Sequence, residues 1–142
     1  MFKRVALLAT LLVTQTASCS EAQSQSPQTR SDYREIEVAP FVQRYDLEDR
    51  NPREVARQLL DGPVSLEGRQ QETIAIEYPT GSDEIGAIEH TVIGLADDSV
   101  RSQRRRIEMK WQSEGWEIVW IGAQFQCRQG RGHQDWSSEL CS

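Results

Sequence analysis

Two runs decide the fold of this chain: Arg101-Ser-Gln-Arg-Arg-Arg-Ile-Glu-Met-Lys-Trp111 and, after Gln112-Ser-Glu-Gly115, Trp116-Glu-Ile-Val-Trp-Ile-Gly-Ala-Gln-Phe-Gln-Cys127. Strand formers flank a short turn containing glycine, which is a hairpin signal. In the first run Arg105, Ile107, Met109 and Trp111 fall on one face, and Arg104, Arg106, Glu108 and Lys110 on the other. Such alternation describes a strand with one face on a core and one in water. In the second run, simple alternation puts Trp116, Ile118 and Trp120 on one face and Val119, Ile121, Ala123 and Phe125 on the opposite one. A strand that is apolar on both faces needs cover on both. A helix can supply one cover, and a cysteine-closed tail folded back across the sheet the other. Gly122 interrupts the tryptophan face, as a strand glycine does at a bend or a close backbone approach. Core packing is the first reading of these tryptophans, and ligand stacking the second.

Upstream, Asn51-Pro-Arg-Glu54 is a strong local signal: an N-cap residue, proline at the first helical position and Glu54 placed as in a capping box. Val55, Ala56, Leu59 and Leu60 then form an apolar stripe, and Gly62-Pro63 stops it. One main helix is therefore expected over Pro52–Asp61. Before it, Tyr33–Val38 alternates weakly, Pro40 breaks the pattern, and Phe41–Tyr45 reads as the start of a helical turn. After it, Thr73–Tyr78 and Ala87–Leu95 read as strands, separated by the turn Pro79–Asp83. Ile88, His90 and Val92 share a face of the second. Sequential strands joined by short loops are antiparallel. The expected class is α+β: one main helix packed on a curved four-stranded antiparallel meander, with a disulfide-closed C-terminal tail.

The chain has 142 residues, 37% of them hydrophobic, which bounds it to one domain. Its formal charge is −6. Met1–Ser18 reads as a signal peptide. Lys3 and Arg4 form a positive n-region, and Val5–Val13 is an apolar stretch too short to span a bilayer. Losing it leaves 14 basic against 22 acidic residues. That balance argues against nucleic acid as a partner. Charge is uneven, however: from Ser99 onward basic residues outnumber acidic ones, so a local anion site stays open. Residues 19–31 are rich in Ser, Gln, Thr and Pro and read as a flexible tether, leaving 32–142 as the folded domain. Cys127 and Cys141 read as a disulfide in an exported chain.

The segment Thr16-Ala-Ser-Cys19 resembles a bacterial lipobox. That resemblance implies lipidation of Cys19 and a membrane held through the lipid anchor only. Ordinary cleavage after Ala22, giving a soluble periplasmic or secreted protein, is the alternative. The element order over Asn51–Phe125 and the ending Gly115-Trp-Glu-Ile-Val-Trp120 resemble the later part of NTF2-like or cystatin-like domains, which pack a helix on a bent four-stranded sheet. Gly94-Leu-Ala-Asp-Asp-Ser-Val100 and Gly130-Arg-Gly-His-Gln-Asp-Trp-Ser137 resemble a family of exported bacterial proteins that carries no activity to transfer.

Candidate chemistry concentrates in the tail. Arg128, Arg131, His133, Asp135 and Trp136 lie within the expected disulfide loop. An arginine fork can bind a carboxylate or phosphate bidentately, a carboxylate can orient His133, and Trp136 can offer a stacking face. Structural roles compete for each: capping a turn, pairing with acidic residues, filling the core. His90 is a second candidate acid–base group. No nucleophile elbow, phosphate loop or His-Glu-x-x-His helix occurs, and no cofactor or metal is expected. Three functions follow. The first is a non-enzymatic envelope lipoprotein, a tethered module binding an envelope protein or a small anionic ligand. The second is an NTF2-like enzyme using His90 or His133 with Asp135. The third is a purely structural envelope protein.

Overall fold

The computed structural model describes residues 29–47, 51–62, 68, 70–79 and 83–142. The leader, Cys19 and the tether through residue 28 lie outside the described residues, as do Pro63 and the middle of the Pro79–Asp83 turn. In chain order the elements are β1 (Arg34–Glu35), α1 (Val38–Tyr45), α2 (Pro52–Leu60), β2 (Gln71–Glu77), β3 (Ile85–Ile93), β4 (Val100–Gln112) and β5 (Gly115–Cys127). A 3-10 turn at Arg30–Asp32 precedes them.

The class is α+β, as expected, but the counts differ. Among the described residues the sheet has five strands in the order β1-β5-β4-β3-β2, and two α-helices pack on it. The four-stranded meander is present as β2 to β5, each strand antiparallel to the next. The fifth strand is β1, which pairs Arg34 and Glu35 with Ala123 and Gly122 along the outer edge of β5. The second helix is α1. Pro40 does not break it because it is the third helical residue, in the first turn, where the backbone N–H has no intrahelical acceptor to lose. For α2 the Asn51 cap and Pro52 stand as expected, whereas the Glu54 carboxylate accepts from Arg57 and no capping box is seen, and the helix ends at Leu60. The Asn51 side chain accepts hydrogen bonds from the N–H groups of Arg53 and Glu54, at 3.0 and 3.1 Å, and Pro52 opens the helix.

Register then builds the core. Ile76, Ile88, Ile107 and Ile121 form one rung across β2, β3, β4 and β5. Residues directly opposite share a face, so four isoleucines meet Phe41 and Tyr45 of α1 and Val55, Ala56 and Leu59 of α2. The next rung is Ile74, His90, Arg105 and Ala123, which carries polar groups into the same face.

Two β-bulges change what alternation alone implied. Glu108 opposes Trp120 while Met109 opposes Ile118, so Val119 is an extra residue on β5. The face of the strand reverses there. Trp116 and Ile118 pack against the helix-side core, Trp120 stays on the opposite face, and Val119 is exposed; the three residues expected to share a face do not. At the other end Val100 opposes Cys127 and Ser102 opposes Gln126, which makes Arg101 the extra residue on β4.

The second face of the sheet is covered by the N-terminal turn and the tail. Tyr33 meets Trp120 edge to face, Arg30 lies over the Trp120 ring, and Trp136 from the tail stacks on the guanidinium of Arg104 at 4.8 Å. Arg104 is buried yet satisfied: its Nε donates to Gln124 Oε1, and Gln124 Nε2 donates to the Asp32 carbonyl. Cys127 and Cys141 form a disulfide with Cα atoms 5.5 Å apart. Among the described residues no helix is long and apolar enough to cross a membrane.

Candidate functional site

The bulge at Arg101 is where a site begins. Its carbonyl accepts hydrogen bonds from the N–H groups of Gly94 and Leu95, closing the β3–β4 loop, while its side chain is exposed. That loop is shaped by Asp97, whose Oδ1 accepts from the N–H of Ser99 at 2.8 Å and of Val100 at 2.6 Å. These two hydrogen bonds, Val100 first, hold the Asp97 carboxyl below the usual carboxylate range, and the Arg128 charge adds to the effect. Arg128 leaves the end of β5 and clamps the same loop from outside. Its Nε donates to the Asp97 carbonyl at 2.6 Å and its Nη2 to the Leu95 carbonyl at 2.8 Å.

Between these arginines and the tail lies an open cleft of about 460 Å³, lined by Arg101, Arg128, Gln129, Gly130, Gly132 and Gln134. Arg128 spends two N–H groups on carbonyl oxygens, and no described carboxylate forms an ion pair with Arg128 or Arg101. Two guanidinium groups therefore line one opening, with the Asp97 carboxylate near Arg128, and the Gln134 amide there donates to the carbonyls of Arg128 and Gly132 at 3.4 and 3.2 Å.

The tail residues expected to act together are dispersed. Arg128 lines the cleft. The Arg131 side chain is exposed, and its backbone carbonyl accepts from Ser142 N–H and Oγ. His133 Nδ1 lies 2.9 Å from the backbone carbonyl of Asp135, and its Nε2 lies 3.0 Å from that of Glu139. The partner of His133 is thus the main chain of Asp135 rather than its carboxylate. Trp136 serves as the plate over Arg104. Arg101, Gln129 and Gln134 were not singled out in the sequence. Their signal was a register slip and a chain reversal, which alternation does not encode.

His90 shares the face of Ile88, which is the helix-side face, and solvent does not reach it. Its Nε2 lies 2.7 Å from Glu72 Oε1 and its Nδ1 3.5 Å from Arg105 Nη1. Arg105 in turn donates to Gln103 Oε1 at 2.7 Å and lies 6.0 Å from the Tyr45 ring centre. Burial pulls the Arg105 guanidinium below its ordinary value, the Tyr45 and Glu72 charges opposing the shift. The chain Gln103–Arg105–His90–Glu72 ties β4, β3 and β2 together inside the core. No family model, curated protein or solved structure matches this chain.

Proposed function

We propose that this protein is a non-enzymatic module of the cell envelope that binds a small anionic ligand in the Arg101–Arg128 cleft. One observation carries the reading: the guanidinium groups of Arg101 and Arg128, which form no ion pair with a described carboxylate, line one opening. Arg128 is positioned by the loop it clamps, so its charge is preorganised, and preorganised donors lose less entropy on binding. The leader Met1–Ser18 would export the chain, Cys19 would carry the lipid anchor, and the following Ser/Gln/Thr/Pro segment would lift the domain from the membrane. The acid–base reading has less support, because His90 is sealed in the core and His133 faces main-chain oxygens.

The test is a titration of the full chain with inorganic phosphate, pyrophosphate and citrate, followed by calorimetry or NMR shifts. Binding should weaken as salt rises, since the site is open to solvent. Arg101→Gln should weaken it by roughly tenfold, about 1.4 kcal/mol, while leaving the fold intact. Arg128 is unsuited to this test because it also holds the β3–β4 loop. Failure of all three anions to bind, or binding indifferent to Arg101→Gln, would sink the proposal. The anchoring part is tested separately by the intact mass of the chain from the native membrane fraction. An acylated chain starting at Cys19 is expected, and a soluble chain starting at Gln23 would overturn it.

A further inference from the structure

Next to the cleft, with Gly132 common to both, three soft or borderline ligands converge. Cys127 Sγ, His133 Nε2 and Cys141 Sγ all lie within 4.8 Å of one another. His133 Nε2 is 3.4 Å from Cys127 Sγ. A tetrahedral zinc ion with Zn–S of about 2.3 Å and Zn–N of about 2.0–2.1 Å sets its nitrogen and sulfur ligands about 3.5 Å apart. That edge is already in place. The two sulfurs would need only to separate to about 3.8 Å.

The surroundings match a metal site in three further ways. First, His133 Nδ1 sits 2.9 Å from the Asp135 carbonyl. A histidine that donates Nδ1–H to a backbone carbonyl keeps Nε2 as a lone pair, the arrangement by which metal-bound imidazoles are oriented. Second, Nε2 is also 3.0 Å from the Glu139 carbonyl. A neutral ring has one N–H, so one of the two carbonyls must face a ring lone pair. A cation held by Nε2 beside the Glu139 oxygen removes that conflict. Third, the chain at residue 132 passes against the sulfur with no side chain between them. Residue 132 is glycine at φ +134°, and a Cβ there would lie 2.9 Å from Cys127 Sγ.

The ligands are also held by bonds other than the disulfide. Cys127 N–H donates to the His133 carbonyl at 2.9 Å, Ser142 N–H to the Arg131 carbonyl at 2.9 Å, and Phe125 and Ser137 exchange a pair of hydrogen bonds. These frame Cys127, His133 and the residue after Cys141. None of these bonds runs through the sulfur–sulfur bond.

We propose that, once reduced, Cys127, His133 and Cys141 form a zinc-binding site, so that the tail is closed either by the disulfide or by the metal. A dithiol donor would carry out the reduction by exchange. Its two thiol protons and two electrons pass to Cys127 and Cys141, the S–S bond between them breaks, and the donor closes its own disulfide. Zinc then displaces both thiol protons and bonds to the two thiolates and to Nε2. The fourth position is left to water or the Glu139 carbonyl.

The experiment uses the full chain carrying Cys19→Ser, so that no third thiol contributes. It is reduced with a water-soluble phosphine, which takes oxygen from water and becomes the phosphine oxide as the disulfide becomes two thiols. Zinc is added alone, and bound metal is counted by native mass spectrometry. Cobalt substitution reports thiolate coordination by its absorption spectrum. One zinc per reduced chain is expected, and none at this site in the oxidised chain. His133→Ala should weaken binding by at least about tenfold, and Cys127→Ser with Cys141→Ser should abolish it. Reduced protein that takes up no zinc overturns the proposal. So does zinc binding indifferent to His133→Ala, the result expected if two thiols of an unfolded tail capture the metal.

Discussion

Gly122→Ala should be among the more damaging small substitutions in this chain. An added Cβ would lie 2.6 Å from the Cβ of Tyr33 and 2.8 Å from Cζ2 of Trp120, and closer still to Cη2 of the same ring. Neither neighbour has room to yield. Trp120 and Tyr33 are 5% and 6% exposed, and their rings meet edge to face at 5.7 Å. Moving the indole also disturbs Arg30, whose guanidinium lies 5.2 Å from the Trp120 ring centre. Overpacking costs about 1–3 kcal/mol. Weakening the aromatic pair adds about 0.5–1.5 kcal/mol, and the cation–π contact about 0.5–1 kcal/mol. Against this, alanine recovers about 0.5–1 kcal/mol of the entropy that a strand glycine loses on folding. The balance is a loss of about 2–4 kcal/mol. Urea unfolding followed by far-ultraviolet circular dichroism measures it.

A double-mutant cycle identifies the cause. Trp120→Ala alone is costly because it opens a cavity. In that background Gly122→Ala should lose less than about 1 kcal/mol, since the Trp120 contacts are gone and the cavity gives Tyr33 room to shift from the added Cβ. The coupling energy should then exceed about 1 kcal/mol. A Gly122→Ala variant within about 0.5 kcal/mol of the parent, or additivity within that margin, would refute the reasoning.

Other expectations are simpler. Cys141→Ser opens a loop whose ends are 14 residues apart and should cost about 3 kcal/mol in the chain-entropy model; reduced parent protein should unfold at about the same urea concentration as the variant. Asn51→Ala removes two capping bonds at the start of α2 and should cost about 1 kcal/mol, whereas Asn51→Asp should be close to neutral. Asp97 has a depressed carboxyl, so its contribution is present above the unfolded carboxylate value of about 3.9 and is lost as pH falls through the lower folded value. Asp97→Asn should accordingly flatten the acid limb of the stability curve below about pH 4, measured as the difference from the parent in urea midpoints. An unchanged acid limb would count against the loop geometry.

The parts of the fold written in local chemistry were legible. The Asn51–Glu54 cap, the apolar stripe after it and the hairpin at Ser113-Glu114 each depend on neighbours a few residues apart. The Cys127–Cys141 pair followed from spacing in a chain whose leader reads as a signal peptide. Gly122 was legible as a close approach, although what approached it was not. Other features depended on contacts distant in sequence. The two-residue β1 has no pattern of its own and exists because β5 offers an unpaired edge. Pro40 reads as a breaker until α1 is seen to start two residues earlier. The face change at Val119 and the outward turn of Arg101 arise because one strand of a pair carries one residue more than its partner. Such a surplus is a property of the pairing, invisible in either strand alone.

By itself, then, the sequence determined the α+β class, the capped helix α2, the order of the long strands, the disulfide and the acidic balance that disfavours nucleic acid. Tertiary structure alone decided which side chains meet. It placed Arg101 beside Arg128, buried His90 against Glu72, turned His133 toward main-chain oxygens and a sulfur, and laid Trp136 over Arg104. The physical reason is that element type follows from short-range propensity and periodicity, whereas a site is made by register and by chain reversal. Both are settled by the packing of residues far apart in the chain.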